Sequence, residues 1–344
     1  MESYPKLRFG VIGIDHAHIY NQVSSLLSLG AECAGYFSRE NTGTLSEFQR
    51  RFPQIVRVRH EKELLEDPDI QLITSAAIPC ERAALAVDAM RHGKDVIVDK
   101  PGVTSFEQLD LVSRVQRETG RIFSVNFTER FEVRAVERAT ELVRAGAIGR
   151  VLQTLGLGPH RLNEHLRPKW FFDPAKSGGI LVDIASHQID QFLHFTGSSD
   201  ARIVSSRLGN IGHPDLPGLQ DFGEIVLSNG LSSGYIRVDW FTPDALQTWG
   251  DGRLFILGTD GYIEIRKYID LCGRSGGDHL FLVNGSRSEY IDCTQDELPY
   301  YSNIRADIFE RSETAMLQAH CFKVCELALR AQEQAEVISA GDAI

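Results

Sequence analysis

Leu7-Arg8-Phe9-Gly10-Val11-Ile12-Gly13 is a short apolar run closed by a glycine, and the alternation that it begins decides the fold. The run reads as a β-strand, and Ala17 to Ser28 reads as a helix. The same pairing then repeats. Strands are expected at Glu32–Phe37, Ile70–Thr74, Asp95–Asp99 and Ile122–Asn126. Between them, helices are expected at Thr44–Phe52 with Pro53 just beyond, at Cys80–His92 stopped by Gly93, and at Ser105–Thr119 ended by Gly120. Short apolar strands separated by single helices imply right-handed crossovers and a parallel sheet. Residues 1–126 therefore read as an α/β domain with a doubly wound parallel sheet.

Beyond Asn126 the texture changes. A helix is expected from Phe131 to Ala145, ended by Gly146. Runs rich in β-formers follow at Val151–Leu157, Ala201–Leu208, Phe222–Leu227, Leu231–Trp240, Arg253–Leu257 and Tyr262–Lys267. Ser228-Asn229-Gly230, Gly258-Thr259-Asp260-Gly261 and Asn284-Gly285 are turn signals between antiparallel strands. Ala306 to Val337 has few breakers and reads as helix. Residues 127–344 thus read as an α+β domain on a mostly antiparallel sheet, with a C-terminal helix.

The bulk composition narrows the function classes. A chain of 344 residues is long enough for two cores, and 42% hydrophobic with 24% charged residues is ordinary for a water-soluble globular protein. Its 36 basic and 47 acidic side chains leave a formal charge of −11, which argues against nucleic acid as the main partner. The first residues show no apolar run with a cleavage site, and no stretch approaches a membrane span. Six scattered cysteines, with Cys321 and Cys325 at a spacing unlike a zinc pair, read as reduced thiols in a cytoplasmic protein without a metal site.

Four segments carry chemistry. In a dinucleotide-binding turn, glycines permit the tight bend and the close approach of backbone to pyrophosphate. Here Gly13 holds the first glycine place, Asp15 the second and His18 the third. The plainer alternative is an ordinary strand-to-helix turn capped by Asp15 or His16. A third alternative takes His16 and His18 as metal ligands on the first strand of a barrel, but the chain lacks the eight βα units a barrel requires. At the end of the second strand, Ser38-Arg39 favours the 2′-phosphate of NADP, because NAD sites place a carboxylate there. Asp99-Lys100-Pro101 ends the fourth strand, where open parallel sheets bind ligands. Ser177-Gly178-Gly179 precedes a stretch expected as one helix, in which Asp183 and His187, four apart, share a face with Asp190 alongside.

Taken together these residues resemble the glucose–fructose oxidoreductase / inositol dehydrogenase / MocA (Gfo/Idh/MocA) family. The family's glutamate-lysine-proline appears as Asp99-Lys100-Pro101, and its glycine pair followed by aspartate, three residues and histidine appears within Gly178–His187. Gly146-Ala147-Ile148-Gly149 is similar to the entry into the family's second domain. The resemblance implies a Rossmann domain, an open-faced antiparallel sheet that mediates homodimers or homotetramers, and catalysis by Lys100, Asp183 and His187. It places NADP, with NAD as the alternative, against Gly13, Asp15, His16, Ser38, Arg39, Ala76, Ala77 and Lys100. One departure is Ala76-Ala77-Ile78-Pro79, followed by Arg82 where relatives carry a histidine. Asn126, His160 and Trp170 are candidates for the substrate side, each equally readable as a packing residue.

The expected activity is hydride transfer to or from a sugar or polyol. Two alternatives stay open: a glycoside hydrolase working by transient oxidation, and a non-catalytic binding protein on the same fold.

Overall fold

The structure is a computed structural model that describes residues 4–339. By contacts the chain forms two compact units. The first comprises the residues up to Asn126, Ala175–Gly178 and Pro299–Phe322, and the second comprises Phe127–Pro174, Gly179–Leu298 and the residues from Lys323 onward.

The first unit carries five parallel strands: β1 (Arg8–Ile12), β2 (Glu32–Phe37), β3 (Leu72–Ser75), β4 (Asp95–Asp99) and β5 (Phe123–Asn126), in the order β2-β1-β3-β4-β5. Every residue of β3, β4 and β5 is buried, as expected of strands covered on both faces. The strand order reverses between β1 and β3, which makes a switch point at their carboxyl ends. The sequence signals at the helix Phe106–Thr119 act as anticipated. Ser105 accepts a hydrogen bond from the Gln108 amide at 3.2 Å, and Gly120 closes the helix at φ 62°.

The single cut expected at residue 126 is not how the backbone divides. Pro299–Phe322 belongs with the parallel sheet because its side chains supply partners for β4 and β5. Tyr300 bonds the Ser124 hydroxyl at 2.7 Å, and Gln318 Oε1 accepts from the Phe123 amide at 2.9 Å. Arg311 pairs both oxygens of buried Asp95, at 2.8 and 2.7 Å. The long C-terminal helix is also interrupted. The helix Tyr300–Glu310 stops at Arg311, whose φ of 57° is left-handed, and a second helix spans Gln318–Glu333. Asp307 enforces the break by accepting from the Ser312 hydroxyl and the Thr314 and Ala315 amides, at 2.7, 2.8 and 2.8 Å.

The second unit carries nine strands: β6 (Val151–Pro159), β7 (Arg202–Asn210), β8 (Phe222–Ser228), β9 (Ser233–Asp239), β10 (Arg253–Gly258), β11 (Gly261–Arg266), β12 (His279–Asn284), β13 (Ser288–Asp292) and β14 (Glu336–Ser339). They lie in the order β13-β12-β11-β10-β6-β9-β8-β7-β14. Pairing is antiparallel except for β6 with β9 and β7 with β14. Strands β12 to β14 are additions to the sequence expectation; β14 takes residues that read as the end of a helix. One face of the sheet is sealed by residues such as Ile225, Ile236, Ile256 and Ile263, with the helices Arg134–Arg144 and Ser186–Thr196 against it. Alternate residues, among them Glu224, Tyr235, Arg237 and Phe255, stay half-exposed on the other face.

Candidate active site

In the first unit the Gly13 turn is stitched to two neighbouring strand ends. The Gly13 amide donates to Phe37 O at 3.1 Å, its carbonyl accepts from the Ala76 amide at 3.0 Å, and the His16 amide donates to Ala76 O at 3.0 Å. Gly13 has φ 78°, and a Cβ there would lie 2.5 Å from the Ala77 Cβ, so no other residue fits without displacement. The next helix begins at Ile19, and neither Asp15 nor His16 caps it.

Beside the turn opens a cleft of about 370 Å³, lined by Gly13, Asp15, Ser38, Arg39, Ala77 and the carboxylates of Glu61, Glu81 and Asp88 among others. Arg39 is engaged there by Glu81 at 2.7 Å, which raises its pKa. Burial raises the Asp15 carboxyl, with the Arg39 charge opposing. The Ser38 hydroxyl turns back into its own loop, donating to Arg39 O at 2.9 Å.

Asp99 lies at the centre of a cluster that the sequence did not reveal. It is fully buried and meets His18 Nδ1 at 2.9 Å, His16 Nδ1 at 3.2 Å and Arg82 Nη2 at 3.3 Å. Burial works to raise its pKa, but the His18 and Arg82 charges and the histidine hydrogen bonds hold it well below the usual carboxylate range. His16 is driven down to about 4 by burial and the His18 charge, against the pull of Asp99. Ligand atoms of His16, His18 and Asp99 all fall within 4.8 Å of one another, a spacing a metal ion accepts. The Arg82 guanidinium already occupies this carboxylate, however, and a metal would sit against that fixed cation.

Arg82 stands where the family resemblance leads one to expect histidine, and it is almost fully buried. It donates to Ala77 O at 2.7 Å, to Asp99 O at 2.9 Å, to Pro101 O at 3.0 Å and to Lys100 O, so it clamps the turn that carries Lys100. Lys100 itself is buried. Asn126 is fully buried, and its amide donates to the Tyr301 hydroxyl at 3.1 Å.

In the second unit the expected single helix is two pieces, Ile180–Asp183 and Ser186–Thr196. Gly179 starts the first piece at φ 84°, and a Cβ there would lie 2.5 Å from Gln332 Nε2. Between the pieces the ladder slips: the Ala185 amide bonds Ile180 O at 3.4 Å and the His187 amide bonds Ile184 O at 3.2 Å. Asp183 and His187 therefore do not share one regular helical face, contrary to the expectation. Asp183 is half-buried, while His187 is buried with its ring edge-on to Phe127 at 6.3 Å. Asp190 is not grouped with them. Its two oxygens accept from Arg130 at 2.7 and 2.8 Å inside the core.

A second, half-buried ion pair, Glu129 with Lys267 at 2.6 Å, stands near His187 and His160. Burial works to raise the Glu129 carboxyl, but Lys267 first, then the His187 and His160 charges, hold it at about 2. His160 Nδ1 lies 2.9 Å from Gly158 O, so Nδ1 carries a proton. Its ring packs on Trp240 at 5.4 Å and Trp249 at 6.5 Å. Trp170, the tryptophan singled out in the sequence, instead meets Phe171 at 6.4 Å. Arg167 is caged by rings, with its Cζ 4.5 Å from Phe171, 4.7 Å from Trp240 and 4.8 Å from Trp249.

Two family descriptions match the chain: "Oxidoreductase family, NAD-binding Rossmann fold" over residues 7–127, and "GFO/IDH/MocA C-terminal domain" over residues 136–264. A solved structure described as an oxidoreductase of Erwinia carotovora atroseptica SCRI1043 is 45% identical, covers 97% of this chain and 100% of its own, and superposes with a TM-score of 0.93. Two Bacillus subtilis (strain 168) enzymes are also similar. The NADP(+)-dependent scyllo-inositol 2-dehydrogenase is 26% identical over 48% of this chain and 45% of its own length. The NAD(+)-dependent scyllo-inositol 2-dehydrogenase is 27% identical over 59% and 57%. The similarity thus spans about half the length of these two relatives.

Proposed function

Because the chain belongs to the GFO/IDH/MocA family of oxidoreductases with an NAD-binding Rossmann fold, we propose that it is a nicotinamide-dependent dehydrogenase or reductase of a sugar or polyol. The observation that carries this reading is the Gly13 turn, whose left-handed glycine and close approach to Ala77 open onto a cleft at the strand ends. Gly13, Asp15, His16, Ser38, Arg39, Ala76, Ala77 and Lys100 are the residues that would hold the dinucleotide. When bound, the nicotinamide supplies or accepts the hydride.

The chain's own residues handle the proton. In the oxidative direction the His187 imidazole removes the proton from the reacting hydroxyl, and the nearby Glu129 charge favours the imidazolium so formed. Lys100 Nζ hydrogen-bonds the reacting oxygen and favours its negative charge. The Asp183 carboxylate orients a substrate hydroxyl, and His160 Nε2 accepts from another. Ser38-Arg39 favours NADP, with NAD as the alternative. The open sheet face with Tyr235 and Phe255 suits a homodimer or homotetramer. A cytoplasmic setting belongs to the same reading; no described helix is long and apolar enough to cross a membrane.

Titration with NADPH and NADH, followed by nicotinamide fluorescence, tests the reading. Saturable binding of either supports it, and tighter NADPH binding supports the Arg39 argument. Failure to bind both would leave a non-catalytic binding protein as the better account. His187→Ala should lower kcat by about 10²–10⁴-fold while leaving nicotinamide Kd within a factor of two or so. An unchanged kcat would remove His187 from the chemistry.

A further inference from the structure

The segment 160–172 half-buries a guanidinium without pairing it with an acid. Arg167 Nε donates to Leu162 O at 2.8 Å and Nη2 to Arg161 O at 3.2 Å, both main-chain carbonyls. Among the described residues it forms no ion pair. Burial lowers its pKa to about 10, with the Asp183 charge acting the other way. Three aromatic faces surround its Cζ within 4.8 Å. Those rings attract a cation but supply no counter-ion, and a buried charge is costly until one arrives. The cage is not sealed, since Arg167 is only half-buried and Trp249 is 39% exposed.

We propose that Arg167 receives a carboxylate of the substrate, so that this protein acts on an acidic sugar or polyol, a uronate or aldonate, in preference to a neutral one. The inference rests on the oxidoreductase reading and names its substrate class. Stacking fixes the guanidinium plane, and the backbone carbonyls take Nε and Nη2, so Nη1 remains to meet an incoming anion. A planar monoanion suits a guanidinium whose plane is held by ring stacking. A phosphate dianion would bring nearly twice the charge toward Asp183 with one arginine to balance it. His160 packs on the same two tryptophans, so an acid held by Arg167 would present its hydroxyls to a neighbouring acceptor.

The test compares matched substrates on the intact protein supplied with its preferred nicotinamide: glucose with glucuronate, galactose with galacturonate, and glucose with glucose 6-phosphate. The acid-over-neutral ratio of kcat/KM should be on the order of ten- to a hundredfold, the worth of one hydrogen bond to a charged group. In Arg167→Met that ratio should fall toward one through a higher KM for the acid, and Arg167→Lys should recover part of it. Both variants are checked by thermal unfolding. If neither folds, a second measurement on the native protein decides: uronates should inhibit competitively where neutral aldoses do not. Neutral substrates used as well as acids, a sugar phosphate preferred to its uronate, or a ratio unmoved in a folded Arg167→Met would overturn the inference. Those results would leave the oxidoreductase reading intact, whereas failure to bind nicotinamide would remove that reading itself.

Discussion

In the proposed reading Arg39 is the residue that would set cofactor choice, and it does not stand alone. Glu81 reaches it across the cleft at 2.7 Å, so a 2′-phosphate must compete with a carboxylate already in place. The pair is substantially exposed, at 59% and 37%, and exposed ion pairs are weak. Glu81→Gln should therefore move the NADPH-over-NADH affinity ratio upward by only about two- to fivefold. Fluorescence titration of the variant would read it, and an unmoved ratio would mean that Arg39 does not meet the phosphate. At this scale the sequence is legible where a residue type has one job. Gly13 could be singled out because a βα turn needs its φ. What Arg82 and Arg167 do could not be read, because their partners are mainly main-chain carbonyls, which leave no trace in residue identity.

Elements were legible where local signals and tertiary structure agree, as at Ser105 and Gly120, and illegible where distant side chains intervene. Ile180 to His187 has good helical patterning, and where it starts is set by Gln220 Oε1 and Gln332 Oε1, which accept from its first amides at 2.8 and 3.2 Å. Those partners lie 40 and 151 residues away, beyond any window of periodicity. The second piece, Ser186–Thr196, is tied down by Arg130 on Asp190, with side-chain exposures of 8% and 0%. Removing one partner of a buried pair strands the other charge. Arg130→Met should cost about 3–5 kcal/mol in urea unfolding, and replacing both residues by apolar ones should recover much of that. A loss below about 1 kcal/mol would mean that water reaches Asp190.

For the molecule as a whole, two displaced groups set how stability responds to acid. His16 titrates at about 4 in the folded protein against an ordinary 6.5. Between those values the unfolded chain binds the extra proton, so stability falls as pH drops from 6.5 toward 4, by about 1.4 kcal/mol for each unit of displacement. Glu129 is held at about 2 against an ordinary 4.5, and its contribution, complete above 4.5, is lost as pH falls through 2. Urea midpoints should therefore decline continuously from pH 6.5 downward, and His16→Asn should flatten the upper part of that decline. A variant curve parallel to the native one would show that His16 is not the source. The five-stranded and most of the nine-stranded architecture could be read in advance, because strand alternation is local. The assignment of Pro299–Phe322 to the first unit could not, because it depends on where Tyr300, Arg311 and Gln318 find partners.

That assignment bears on how the protein is made. A ribosome delivers β1 to β5 well before it reaches the tyrosines that meet Ser124 and Asn126, or the arginine that neutralises Asp95. Until then the nascent segment up to Asn126 carries an acid meant for the interior and an uncovered Phe123, a surface that invites chaperones. A gene fragment ending at residue 126 should accumulate as insoluble product, while the full-length product partitions to the soluble fraction. The first domain is thus finished only once Pro299–Phe322 has been made, long after β5 has left the ribosome.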